Sequence, residues 1–237
     1  IGKTGILEIK TGGVLNIENN TLVKIEKGGK LIIHPGASIV LNGPNAVLHL
    51  NGELIMEPNA IFQPTPGALG YGKVIVENNI GEQFVNCKGN NKYIIDAVNS
   101  TGKHDLIVYG NYGMHAGWAP GLLEFRINQA QVFIKKNSQI TSEAYKTVIN
   151  NCFITGEEYE RSRGFKTIKS ITSISNSDFR FLKYGIEYIP LSVTSYLKIT
   201  DTNFKNCDKS VLSQGGGVIA DGLDVNNSAA LGRNGVE

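Results

Sequence analysis

Cysteine is scarce in this chain of 237 residues: Cys87, Cys152 and Cys207 are the only three. An odd count over such a length argues against a disulfide framework. With no CxxC pair and no histidine close by, a zinc site is not expected either. The three read instead as small buried residues at equivalent turn edges, since Cys87 and Cys207 directly follow Asn86 and Asn206, and Cys152 follows Asn150-Asn151. An excess of either charge is also lacking. Against 23 basic residues stand 21 acidic ones, a net charge of +2, which gives no reason to expect nucleic acid or a membrane surface as partner. No apolar run approaches the ~20 residues of a spanning helix, so membrane insertion is not expected. HxH, HExxH, GxSxG and the GGxGxD calcium repeat are all missing, and no metal or cofactor is expected. Gly67 with Gly72-Lys73 has the spacing of a phosphate-binding loop. Val74 then stands where a magnesium-holding Ser or Thr is needed, so the stretch reads as a glycine-rich turn.

Glycine is plentiful, at 28 residues, and 41% of the chain is hydrophobic, enough for one large core. The apolar residues are spaced regularly. Leu7, Leu15, Val23, Leu31, Ile39, Val47, Leu54 and Ile61 recur at steps of about eight residues, a repeat signature. Two positions on from most of them stands a second apolar residue: Ile9, Ile17, Ile25, Ile33, Leu41 and Met56. Side chains two apart share one face of a strand, so each unit is a short strand with one buried face. Gly12-Gly13, Asn19-Asn20, Gly28-Gly29, Pro35-Gly36, Gly43-Pro44 and Pro58-Asn59 punctuate the gaps with residues suited to tight turns. Strand and turn at near-constant spacing predict a β-solenoid rather than a meander of hairpins, whose bends need no fixed unit length. The Gly-Gly pairs hint at two units per circuit. Later in the chain Ile149, Ile174 and Ile199 stand 25 apart, which favours three. Outward positions are polar at Glu8, Asn16 and Lys24, while Ile32 and Val40 depart from that rule.

The chain reads as one domain over 1–237. It opens mid-repeat at Ile6-Leu7 and closes mid-repeat at Gly235-Val236, so a fragment of a longer protein is expected. Residues 63–73 read as a loop, 142–145 as a turn or brief helical excursion, and 157–166 as a charged, solvated loop. Residues 99–121 read as an irregular insertion. It holds Tyr109, Tyr112, His115 and Trp118, which are expected to contact a ligand, because insertions on rigid scaffolds carry binding residues and aromatic rings stack on sugar faces. The alternative is that those rings only cover the core.

The late units Asn150 to Phe153, Ser175 to Ile186, Asp201 to Val211 and Asp224 to Val236 resemble the parallel β-helix repeat. The early Gly-Lys-Leu-Ile-Ile and Pro-Gly-Ala-Ser-Ile-Val-Leu-Asn-Gly look like the β-helical regions of large secreted surface proteins, notably those of Bacteroidota; the likeness to pectate lyases is distant. The resemblance implies an all-β, right-handed parallel β-helix with three sheets, secreted or at the cell surface. The hand also follows from the strong right-handed preference of parallel crossovers.

Such folds serve adhesins, lyases, glycosidases and tailspikes alike, so function has to come from side chains. Arg126-Ile127-Asn128 and Asp201-Thr202-Asn203 miss the polygalacturonase pattern, which nothing else in the chain supplies. A lyase needs a calcium-binding acidic cluster and a base. Asp201, Asp221 and Asp224, with Arg180 or Lys198, are the nearest candidates, set against ordinary turn aspartates. The expected function is thus a non-catalytic adhesin or rigid stalk, with a glycan or other cell-surface ligand and a secretion apparatus as expected partners. The alternative is a lyase or glycoside hydrolase acting on acidic polysaccharide.

Overall fold

The computed structural model describes residues 1–70, 72–77, 85–87, 91–96, 104–109, 111–115, 122–190, 194–226 and 229–231. Every strand pairing among them is parallel, and each strand pairs with the strand about one circuit away. Ile6 lies beside Lys30, and Lys30 beside Glu53; later, Ile149 lies beside Ile174, and Ile174 beside Ile199. Early circuits therefore take three eight-residue units and later ones about 25 residues, which decides for three faces.

The first face is a ten-stranded sheet running from Ile6–Ile9 to Ala229–Leu231. At ~4.8 Å per strand, its nine steps make a rod of roughly 43 Å. The second face begins as a sheet of three strands, Val14–Glu18, Ser38–Asn42 and Pro64–Pro66. It continues through Asn91–Asp96, Leu122–Asn128, Lys146–Asn150 and Ile171–Ser175. The third face runs from Leu22–Ile25 through Asp178–Arg180. Tyr196–Lys205 joins the last two faces in one bent strand: Tyr196 to Thr200 pair with Ile171 to Ser175, and Asn203 to Lys205 with Asp178 to Arg180.

Inside the coil, like residues stack on like. Ile95, Ile127, Ile149, Ile174 and Ile199 form one buried column. Six rings make another line through the core. Phe62 stacks on Tyr93 at 4.6 Å, Tyr93 meets Phe125 at 5.7 Å, and the line continues through Phe165 and Phe179 to Phe204. Such columns bury apolar area between circuits, which must hold the stack together because the coil lacks the contacts of a globular core.

Two expected columns are shifted by one residue. Leu48, not Val47, lies beside Val23, because the connection from Asn42 to Val47 is one residue longer than its counterpart one circuit earlier, from Glu18 to Leu22. Phe62, not Ile61, is buried in the next unit; Ile61 is 41% exposed. A slip of one residue turns every side chain of a strand to the other face. Two stretches expected as loops also contain strand: Pro64–Pro66, and Arg163–Ile168 at the end of the charged segment. The two turn-edge cysteines with described side chains are both buried, yet they occupy different corners. Cys152 follows Asn151 between the second and third faces, and Cys207 follows Asn206 between the third and first.

The corners depend on left-handed residues. Gln129, Asn151, Asn176 and Asp201 all take φ between 46° and 51° at the corner of the second and third faces, and Gly222 follows at 62°. Asparagine suits that conformation. Neighbouring side chains bond along the rod: Asn150 Nδ2 donates to Asn128 Oδ1 at 2.9 Å, and Ser175 Oγ donates to Asn150 Oδ1 at 2.9 Å. At the next corner Phe181 takes φ 54°, with its side chain 44% exposed, and one circuit later Asn206 takes φ 53°. An aromatic residue there is strained. Phe181→Asn is expected to stabilise the chain by about 1 kcal/mol, read as a higher urea midpoint.

Candidate functional site

The segment between Phe153–Gly156 and Arg163–Ile168 is the longest described connection from the third face to the first. It folds over on itself: Ser162 N–H donates to Glu158 O at 2.8 Å, and Glu158 N–H donates to Ser162 Oγ at 3.1 Å. Its first two acids are used locally. Glu157 takes Lys135 Nζ at 2.9 Å and the Lys136 backbone N–H at 3.0 Å, and these bonds hold its carboxyl below the usual range. Glu158 pairs with Lys136 at 3.0 Å and Arg161 at 3.4 Å. Later connections at the same corner are shorter, so the segment overhangs a cleft of about 660 Å³. Tyr159, Glu160 and Arg161 line it from the overhang, with Asn137 and Arg163 below and Lys183 and Asp208 from the next circuits.

Register places a short column beside this cleft. Arg163 lies beside Tyr184, and Tyr184 beside Lys209, in successive strands of the first face. Two glycines permit the close approach. A Cβ on Gly164 would lie 2.1 Å from Gly185 O, and one on Gly185 would lie 2.6 Å from Ser210 O. The Tyr184 ring therefore has three cations around it: the Arg163 guanidinium at 5.7 Å, Lys183 Nζ at 5.8 Å and Lys209 Nζ at 5.9 Å. Among the described residues, none of these three cations is in an ion pair with a carboxylate. Tyr159, 40% exposed, keeps its phenol proton. Burial, with the nearby carboxylates of Asp208 and Glu160, raises its pKa.

The residues expected to contact a ligand are only partly described. Tyr109 ends the strand His104–Tyr109 on the third face, beside Glu77, while Tyr112 and His115 lie in Asn111–His115 on the first face, beside Ile140 and Asn86. Regular strands thus occupy part of 99–121. Trp118 lies outside the described residues.

The candidate lyase residues do not assemble into a calcium site. Asp201 sits at the left-handed bend, Asp221 lies beside Thr200, and Asp224 lies beside Asn203. Among the described residues, no three His, Cys, Asp or Glu side chains converge on a cation site. The Arg180 guanidinium bonds Asp178 through Nε at 2.8 Å and through Nη2, and it lies 5.0 Å from the Phe153 ring. Asp178 raises its pKa further, so it does not serve as a base. His34 and His49 tie adjacent circuits together, through Glu8 at 2.6 Å and Glu77 at 2.7 Å.

No protein-family model, curated protein or solved structure matches this chain.

Sequence alone does not mark the cleft, because 157–166 has the composition of a solvated loop. A signal was present: Arg163-Gly164-Phe165, Tyr184-Gly185-Ile186 and Lys209-Ser210-Val211 are the same step of the repeat.

Proposed function

We propose that this chain is a non-catalytic, rigid segment of a secreted or cell-surface protein, an adhesive stalk that contacts glycans through the corner cleft. The observation that carries this reading is the pairing of a stack of parallel strands with a cleft lined by Tyr159 and by charged and hydrogen-bonding side chains, with the Tyr184 ring beside it. A rod of stacked circuits resists bending because each strand is bonded to the circuits before and after it. It therefore holds a cleft at a set distance from its base. The resemblance of the repeats to secreted β-helical surface proteins supports the location. Tyr109, Tyr112, His115 and Trp118 remain candidates for a second contact. The competing lyase or hydrolase reading requires an acid cluster or an opposed carboxylate pair. Arg180 is bound to Asp178, which leaves Lys198 as the base of that alternative.

The test is retention of the purified chain on a panel of immobilised glycans, with ultraviolet absorbance and reducing-end release followed on the same glycans in calcium. Retention without product is expected. Product formation would establish the enzyme reading and direct mutagenesis to Asp201, Asp221 and Asp224. Absence of retention on every glycan would refute glycan contact.

A further inference from the structure

We propose that the cleft beside Tyr184 is a binding site for an acidic polysaccharide, a sugar chain bearing carboxylate or sulfate groups. This rests on the reading of the chain as glycan-contacting and names the ligand class.

The first observation is electrostatic. Arg163, Lys183 and Lys209 are held around one tyrosine ring with no described carboxylate paired to any of them. All three lie within 5.9 Å of the same ring centroid, so their like charges oppose one another. The face of a single ring attracts a cation weakly and cannot satisfy three at once. An anion bound beside Arg163 and Lys183 in the cleft is attracted by both and by Lys209 nearby, and a guanidinium can take a carboxylate or sulfate through two parallel bonds. Elsewhere on this corner acids neutralise the cations: Lys135, Lys136 and Arg161 pair with Glu157 or Glu158. The three around Tyr184 stand apart from that pattern.

The second observation is the cleft itself, which offers more than positive charge. Tyr159 presents an exposed ring and a neutral phenol, and Asn137, Glu160 and Asp208 supply groups that can bond sugar hydroxyls. Acids in the lining count against a polyphosphate, which would meet repulsion at every residue. They suit a chain of hydroxyls with an anionic group at intervals. The column also has a repeat. Arg163, Tyr184 and Lys209 stand on successive strands, ~4.8 Å apart along the rod. That step is of the order of one sugar unit in an extended chain, so ring and cations can meet neighbouring sugars of one strand.

The test uses the full chain in calorimetric titrations with oligogalacturonate, heparin oligosaccharide, a neutral cello-oligosaccharide and single-stranded DNA. The same titrations are run on Lys183→Ala/Lys209→Ala and on the charge-keeping Lys183→Arg/Lys209→Arg. Thermal midpoints check that both variants fold. Binding of either anionic oligosaccharide is expected, weakened by added salt and reduced about tenfold or more in the alanine pair, a change of one decade in Kd. The arginine pair should retain most of it. Binding of oligogalacturonate alone would identify carboxylate as the recognised group, and of heparin alone, sulfate. Equal binding of the neutral sugar, unchanged in the alanine pair, would overturn this assignment and leave glycan contact standing. Absence of binding to any sugar would overturn both. Preference for DNA would overturn the polysaccharide as ligand.

Discussion

Phe179→Ala is expected to lower stability by about 3–5 kcal/mol, the range for deleting a fully buried ring. Phe179 is 0% exposed. It stacks on Phe204 at 5.0 Å with 19° between the planes, and it meets Phe165 edge-on at 6.3 Å. Its neighbours in the parallel ladder are Ile154 on one side and Phe204 on the other. Truncation therefore opens a gap facing three circuits, and a coil cannot close it without sliding whole strands. Because each circuit contacts only its neighbours, the loss should not spread evenly. Urea unfolding followed by circular dichroism should show the transition of the C-terminal circuits moving to lower denaturant, with the N-terminal circuits much less affected. A uniform shift, or one below about 1 kcal/mol, would contradict the ring line as a principal tie between these circuits.

Gly164→Val is expected to damage both the fold and the cleft. A Cβ at this position would meet Gly185 O at 2.1 Å and Gly185 C at 3.1 Å, and backbone carbonyls cannot swing aside as a side-chain tip can. Relief requires separating two strands of the first face between Arg163–Tyr184 and Phe165–Ile186, which are paired in register. Overpacking of this kind costs about 1–3 kcal/mol, and a backbone clash lies at the upper end. The same displacement would part Arg163 from Tyr184, so the variant should lose affinity for acidic oligosaccharide even at temperatures where it remains folded. Gly164→Ala should do the same to a smaller degree. A normal melting curve with unaltered binding would show that the two strands can separate there at no cost.

The fold was legible because burial in a solenoid is periodic. Leu7, Leu15, Val23, Leu31 and Ile39 keep an eight-residue step, and Leu31 and Ile39 lie beside Leu7 and Leu15 in the coil. Ile149, Ile174 and Ile199 form the column that their spacing implied. The periodicity misplaces residues where a connection changes length. Nothing in Gly43-Pro44-Asn45 says whether the turn takes one residue more, and that residue decides whether Val47 or Leu48 points inward. The cysteines show the same limit. Cys152 and Cys207 each follow a left-handed asparagine, so they look alike in sequence, yet two different corners of the circuit use that device. The candidate site was less legible still. Arg163 and Tyr184 are 21 residues apart, whereas Tyr184 and Lys209 are 25 apart, because the connection from the first face to the second is four residues shorter between Ile168 and Ile171 than between Ile189 and Tyr196. Contact between them follows only from knowing where each circuit closes. The overhang at 157–162 has the composition of any solvated loop, and only its position above shorter connections makes a cleft.

Hydrogen exchange of the intact chain, with and without oligogalacturonate, tests most directly whether this rod binds sugar at its corner without cleaving it. Slower exchange is expected at 158–163, 183–184 and 208–209, with little change elsewhere and with the oligosaccharide recovered intact. Slowing around Asp201, Asp221 and Asp224 instead, with unsaturated product in the mixture, would contradict the reading and make the chain an enzyme.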